Sequence, residues 1–328
     1  MKKNAVSIIV PVYNVEPYIE CCVRSLFEQT LNNIEYIFVD DCSPDQSMAI
    51  VRQLMKEYEC KDLTVRIIRH EQNKGLPSAR NSGLAIATGE YVFHCDSDDW
   101  IEKEAMEKMV QAAQTSQADI VWCDWFLSFR NNERTMQQKG KETPIDCIKA
   151  MLSGRMKYNV WNKLVKRSMY MNNQITFPDG FGMGEDMTMI QVFAFAEKVC
   201  YLPVALYHYV RLNTNAFTQT PSDVHLSQIL HNANRTIEFI QNRYGAELED
   251  ELQFFKLNIK LPFLITNDKN AYRRWSEWYP EANRYISRNK MFSHRIRFIQ
   301  KAAAKRQFWI VWLYYYLIVR IVYGIIYK

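Results

Sequence analysis

With 328 residues, 48% hydrophobic and 13% aromatic, the chain carries enough apolar surface for one large domain plus an appendage, or for two domains, which excludes a disordered chain. Its eight cysteines are scattered, with adjacent Cys21-Cys22 the only cluster and no CxxC, which fits a reducing cytosol better than a disulfide framework or a zinc site. The net charge of +5 hides an asymmetry: ten basic and no acidic residues follow Glu281, leaving the first 281 residues at −5.

Taken in order, Met1-Lys2-Lys3 leads straight into a β-like run, so no signal peptide is expected. Val6 to Val10 is a short apolar run closed by Pro11 and predicts a buried strand. From Val15 the spacing becomes helical, with Ile19, Val23, Leu26 and Phe27 on one face. Ile34 to Val39 predicts a second strand ending in Asp40-Asp41, and Met48, Val51, Leu54, Met55 and Tyr58 mark a helix. A third strand is expected at Val65 to Ile68, a helix at Gly75 to Ala87, and a fourth strand at Tyr91 to Cys95. A helix through Met106, Met109, Val110 and Ala113 leads to a fifth strand at Asp119 to Trp125. This alternation predicts an α/β fold with a mostly parallel sheet flanked by helices. Ligands in such sheets sit at the carboxyl ends of the strands. Those ends carry Pro11, Tyr13 and Asn14, then Asp40-Asp41, His70 to Asn73, and Asp96 to Asp99.

The last cluster holds three carboxylates, Asp96, Asp98 and Asp99, within four residues. Two ionised carboxylates ~4 Å apart repel by roughly 4 kcal/mol at an effective dielectric near 20. An oxygen-only cluster is neutralised by Mg2+ or Mn2+, often together with a substrate's phosphates. The plainer alternative is a solvated turn whose Asp caps a helix from Glu102.

Farther on, Gly180-Phe181-Gly182-Met183-Gly184 has GxGxG spacing, which is not a dinucleotide fingerprint, and predicts a mobile loop able to close over ligands. Glu185-Asp186 precede an apolar helix, Met187 to Ala196. Strands follow at Val199 to Leu202 and Leu206 to Arg211, and beyond Pro221 the pattern is helical. His94 and His208 read as structural histidines; Trp161 suits the core or a stacked acceptor sugar equally.

Five stretches together resemble the family 2 glycosyltransferases of the GT-A fold, of the type that builds bacterial polysaccharides and glycolipids. They are Val6 to Asn14, Val39 to Asp45, Asn73 to Gly83, Asp96-Ser97-Asp98-Asp99 and Gly184-Glu185-Asp186, in the family's order over about 180 residues. The resemblance implies a GT-A catalytic domain over residues 1–220. A helical extension at 221–290 and a basic, aromatic-rich C-terminal helix at 291–328 complete the expected organisation.

The resemblance also implies inverting transfer from a UDP-sugar to a saccharide or lipid-linked acceptor, with Mg2+ or Mn2+ and without nucleic acid. It places Pro11, Tyr13, Asn14 and Asp41 at the uracil, with Asp40 a rival to Asp41. Asp96 falls to the ribose, and Asp98 or Asp99 to the metal. Arg80, near the start of its helix, would reach a donor oxygen, with a solvated helix face the alternative. Asp186 would be the general base that deprotonates the acceptor hydroxyl, with helix capping the alternative. The rival of another class is an inactive nucleotide-sugar-binding partner subunit, against which the intact Asp98, Asp99 and Asp186 argue. A nucleotidyltransferase would need a glycine-rich N-terminal loop, and no glycine precedes Gly75.

The C-terminus closes the reading. Phe308 to Val319 is uncharged and covers ~18 Å as a helix, short of a ~30 Å hydrocarbon core. Trp309, Trp312, Tyr314, Tyr315 and Tyr316 suit headgroup depth, and Arg295, Arg297, Lys301, Lys305 and Arg306 precede or open the run. The expectation is a peripheral anchor on the cytoplasmic face of the membrane, against the alternative of a helix packed on the protein itself.

Overall fold

The computed structural model describes residues 4–139, 141–211 and 222–318. The chain divides into two compact units, Met1–Cys147 with Tyr158–Thr236, and Ile148–Lys157 with Ile237–Lys328. The division falls inside a long helix rather than before it.

The first unit is built on nine strands: β1 (Val6–Val12), β2 (Ile34–Asp40), β3 (Thr64–Arg69), β4 (Tyr91–His94), β5 (Trp100–Ile101), β6 (Ile120–Ser128), β7 (Glu133–Met136), β8 (Lys163–Lys166) and β9 (Val199–Val210). Its helices are α1 (Ile19–Phe27), α2 (Ser47–Glu57), α3 (Leu76–Ile86), α4 (Ala105–Ser116), α5 (Pro144–Leu152), α6 (Arg167–Asn172), α7 (Thr188–Phe195) and α8 (Asp223–Tyr244); α5 and α8 run on into the second unit. The sheet runs β3-β2-β1-β4-β8-β6-β9-β5, with β7 on β6.

Only the β3-β2-β1-β4 half is uniformly parallel; β8 pairs antiparallel with both β4 and β6, and β6 is parallel to β9. The sheet is therefore mixed rather than mostly parallel. The added half rests on strands as short as β5 and β8, too brief to give a readable alternation.

In the parallel half every residue of β1, β2 and β4 is buried, as expected of strands covered on both faces. Pro11 lies inside β1 rather than after it, opposite Val39. The β1–β4 ladder ends at Ile9 and His94, so the N–H that proline lacks faces no partner strand. The amphipathic α1 buries Ile19, Cys22, Val23, Leu26 and Phe27 against this half.

The two strands expected near residue 205 are one, β9. Its register against β6 slips between Cys123 and Trp125, where Leu202, Ala205 and Tyr207 are successive partners. Pro203 supplies no N–H at the first slip, so the strand bulges instead of ending.

The second unit is helical: α9 (Glu249–Lys260), α10 (Lys269–Glu277), α11 (His294–Ala304) and α12 (Phe308–Tyr314). Leu252, Phe255, Leu257, Tyr272, Trp275, Ile299 and Val311 are buried in it. Lys260 is buried with them, its ammonium 4.2 Å from the Trp275 ring centroid and donating to Trp278 O, Tyr279 O and Asn283 Oδ1. Burial lowers its pKa to about 7.

Candidate active site

The carboxyl ends of β1, β2, β3 and β4 lie along one edge of the sheet, and the polar clusters read from the sequence meet there. After β1, Tyr13 is 46% exposed, free to offer a ring face. Asn14 adopts a left-handed φ of 54°, and its amide donates to Ser43 Oγ.

Asp40 and Asp41 are both buried at the end of β2. Asp40 Oδ1 accepts from the Ser43 amide, and Asp45 Oδ1 accepts from the amide of Ser47, the first residue of α2, an Asx turn. Asp41 is the more committed of the pair. Its Oδ1 accepts from Lys74 N at 2.8 Å and meets His70 Nδ1 at 2.6 Å, and its Oδ2 accepts from Gly75 N at 2.8 Å. His70 Nε2 in turn lies 2.8 Å from Ser82 Oγ on α3. Gly75 opens α3 with φ 85°, a conformation that side chains resist. Asp41 thus gathers the β3–α3 connection, and nothing in the pattern beyond its place at a strand end marks His70 as its partner.

Arg80 is 2% exposed, so it does not lie on a solvated helix face. Its Nη2 donates to Asp96 Oδ1 at 2.9 Å and its Nη1 to Glu185 Oε1 at 2.7 Å. The guanidinium also lies 5.5 Å from the Phe177 ring centroid. Burial alone would depress its pKa, but Asp96, Glu185 and Asp186 outweigh burial and raise it. One cation thus serves three carboxylates. Burial, then the neighbouring Asp186 charge, push Glu185 up to about 8 against the pull of Arg80. Burial likewise raises Asp186, with Arg80 opposing. Asp186 keeps a partly open face, whereas Glu185 is buried. His94 lies buried in the same layer, with Phe177 at 5.2 Å and Tyr170 at 6.3 Å, and burial followed by Arg80 hold it neutral.

The Asp96 to Asp99 turn separates its carboxylates by exposure. Asp96 and Asp98 are partly open, whereas Asp99 is buried. Asp99 Oδ1 accepts from Val210 N and its Oδ2 accepts from the Tyr207 hydroxyl, each at 2.7 Å. Burial, then Asp98 and Asp96, drive the Asp99 pKa well above the usual carboxylate range. Asp99 therefore holds β9 to the turn. Among the described residues no three His, Cys, Asp or Glu side chains form a ready ligand set. The donors on offer, Asp96 and Asp98, fit a hard cation that brings most of its oxygen ligands with it, as one carrying a diphosphate does.

The Gly180 to Gly184 stretch is held by α8 rather than left loose. Gln228 Nε2 donates to Gly180 O, Asn232 Nδ2 donates to Phe181 O and Met183 O, and Met183 N donates to Gln228 Oε1. Phe181 stacks on His231 with centroids 3.6 Å apart. Gly184, at φ 85°, turns the chain into the 3-10 turn Glu185–Met187 that presents Asp186.

Trp161 is a core residue, stacked on Tyr207 at 4.5 Å and Tyr209 at 5.3 Å and edge-on to Trp125. His208 is also structural. It lies between Trp100 and Phe126, with its two nitrogens on Glu102 and Glu133. Lys163 was not singled out from the sequence. It is buried, donates to Asn159 O and Asn162 Oδ1, and is lowered to about 7 by burial. Residues 212–221 and 319–328 lie outside the described residues.

Known proteins share the family and the fold. The family model described as glycosyl transferase family 2 matches residues 7–190. The uncharacterized glycosyltransferase EpsJ of Bacillus subtilis (strain 168) is 32% identical over 273 residues, 80% of this chain and 77% of that protein. The putative glycosyltransferase EpsH of the same organism is 36% identical over 227 residues, 67% of this chain and 64% of that one. Among solved structures, S. aureus TarS 1-349 in complex with UDP-GlcNAc superposes with a TM-score of 0.69 over 95% of this chain and 91% of that one, at 22% identity. The architecture of strands and helices described above is the GT-A fold.

Proposed function

The chain belongs to glycosyl transferase family 2, and from that premise we propose that it moves a sugar from a UDP-sugar to a saccharide or lipid-linked acceptor, with inversion, in the assembly of a surface polysaccharide. The observation that carries this reading is the partly open Asp186, set by the 3-10 turn beside the Arg80-paired Glu185 and Asp96. In this reading Asp186 takes the proton from the acceptor hydroxyl. The hydroxyl oxygen bonds to the anomeric carbon as the bond from that carbon to the diphosphate breaks. Burial of Asp186 makes it a stronger base than a solvated carboxylate, which suits the task.

The exposed Tyr13 stacks on the uracil, with Pro11 near the end of β1 and Asn14 in the turn after it beneath, and Asp41 or Asp40 faces its ring N–H. Asp96, fixed by Arg80, sits toward the ribose. Asp98, with the partly open face, would hold Mg2+ or Mn2+ together with the donor's phosphates. That ion, when bound, takes up charge on the departing diphosphate. UDP and UDP-GlcNAc complexes of TarS support a uridine donor.

We place the protein at the cytoplasmic face of the membrane, held peripherally through the C-terminal segment. No helix among the described residues is long and apolar enough to cross a membrane. Release of UDP from a panel of UDP-hexoses and UDP-N-acetylhexosamines, with and without Mn2+, tests the reading. Should no donor be turned over with any acceptor while UDP still binds, the proposal fails and the inactive-partner role stands.

A further inference from the structure

The second unit holds a cavity of about 880 Å3 that the transfer reaction does not use. It opens between α10 and the start of α12. Tyr272 and Phe308 stack along its wall with centroids 5.4 Å apart and planes 7° apart, and Trp309 and Trp312 extend that wall. Its charged lining is lopsided: Lys269, Arg273 and Arg306 against Glu277 alone. Glu277 is itself paired with Arg273 at 3.4 Å, so two cations are in excess. The volume is in the range of small-molecule sites.

From the cavity wall outward, Trp309, Trp312, Leu313, Tyr316 and Leu317 are all exposed, at a spacing of three and four. An apolar stripe left in water beside an aromatic cavity with a cationic rim matches a ligand that is apolar at one end and anionic at the other. A free anion would leave the rings and the stripe unused. A neutral apolar ligand would leave the two cations facing it without counter-charge.

We propose that this cavity seats the headgroup of an anionic phospholipid, with the Trp309 to Leu317 stripe lying at the boundary of its acyl chains. The inference rests on the peripheral-membrane reading above and sharpens it: recognition comes from a defined cavity, not from the diffuse charge of α11. The basic residues of α11, Lys301 among them, do not line the cavity.

The test uses the full chain and sedimentation with vesicles of phosphatidylcholine, alone or mixed with phosphatidylglycerol. Wild type is expected to sediment only with the mixed vesicles. Arg273→Glu with Arg306→Glu should weaken that association about tenfold or more, while Lys301→Glu with Lys305→Glu weakens it less. Brominated phosphatidylglycerol should quench tryptophan fluorescence in wild type and quench it less in Trp309→Phe with Trp312→Phe. Release of UDP and the melting temperature, unchanged in all variants, show that they fold.

Failure of wild type to bind any vesicle overturns the membrane reading and this site together. Binding that the cavity variants retain, but the α11 variants lose, overturns the site and leaves the membrane reading in place. Loss of vesicle binding on adding soluble glycerol phosphate at millimolar concentration or below, or concentration-dependent doubling of mass by light scattering, overturns it in favour of a free phosphate ester or a second copy.

Discussion

The Tyr207 hydroxyl, on β9, lies 2.7 Å from Oδ2 of Asp99 and also accepts the amide N–H of Asp96 at 3.1 Å. One phenol from the far half of the sheet therefore fixes both ends of the carboxylate turn. This divides the work within the turn: Asp99 is anchored inward, while Asp96 and Asp98 stay partly open, Asp96 on Arg80.

Asp98→Asn is expected to abolish the Mn2+-dependent part of UDP binding with little change in melting temperature. Asp99→Ala should do the reverse in kind, removing two buried hydrogen bonds and costing about 3 kcal/mol, several degrees of melting temperature. Calorimetric titration of UDP with Mn2+ or EDTA, beside thermal melts, separates them. A stable Asp99→Ala that loses only metal-dependent binding would exchange the two roles.

Asp186→Asn should retain UDP-sugar binding and lose turnover by ~10²-fold or more. Because the pKa of Asp186 is raised and a base acts deprotonated, wild-type turnover should climb with pH along a limb displaced upward from 3.8. The climb should be missing from the residual rate of the variant. Initial rates across pH, at saturating donor, check both.

Removing the cation of the Arg80 cluster strips the buried Glu185 and the partly open Asp96 of their shared ion-pair partner. Arg80→Met should cost about 3–5 kcal/mol, the scale for breaking a buried ion pair from one side. Denaturant unfolding measures it. Adding Glu185→Gln should recover part of the loss, since an amide costs less than a carboxyl to leave there without a cation.

Lys163 gives a pH signature without catalysis. Its pKa falls from 10.5 to about 7 on burial, so between those values the unfolded chain binds the extra proton and folding is favoured by rising pH. The penalty for the buried ammonium is complete below pH 7 and gone above 10.5. Lys163→Met removes this dependence. The stability of the variant relative to wild type should be most favourable below pH 7 and decline toward pH 10.5, as read from melts in matched buffers.

The parallel half of the sheet was legible because its strands are short runs rich in β-branched and aromatic residues, each closing on polar residues, and its helices show a clear apolar face. The other half was not. Lys163 begins β8, a charged residue where a strand pattern asks for an apolar one, and only the burial of its ammonium by Asn159 and Asn162 makes the position workable. Pro203 read as a break because a bulge and a strand end look alike in sequence.

At the site, the residue types at the strand ends pointed to the right edge of the sheet. Their partners did not follow, since Arg80 and Glu185 are 105 positions apart and Asp99 and Tyr207 are 108 apart. Glycines in the 180 to 184 stretch suggested looseness, yet α8 supplies the hydrogen bonds that glycine leaves open to the backbone.

One helix joins the two parts of the candidate donor site. Asp41 grips α3 at its start through Gly75 N and again at Ser82 through His70, while Arg80 leaves the same helix for Asp96 and Glu185. The helix is in effect a ruler, with about 7.5 Å of rise between Gly75 and Arg80. Its graduations are angular as well as linear. A single residue inserted between those positions would swing the guanidinium by about 100° and away from both carboxylates, however well the inserted residue suited a helix. Changes of length, far more than changes of side chain, are what this segment has no room to absorb.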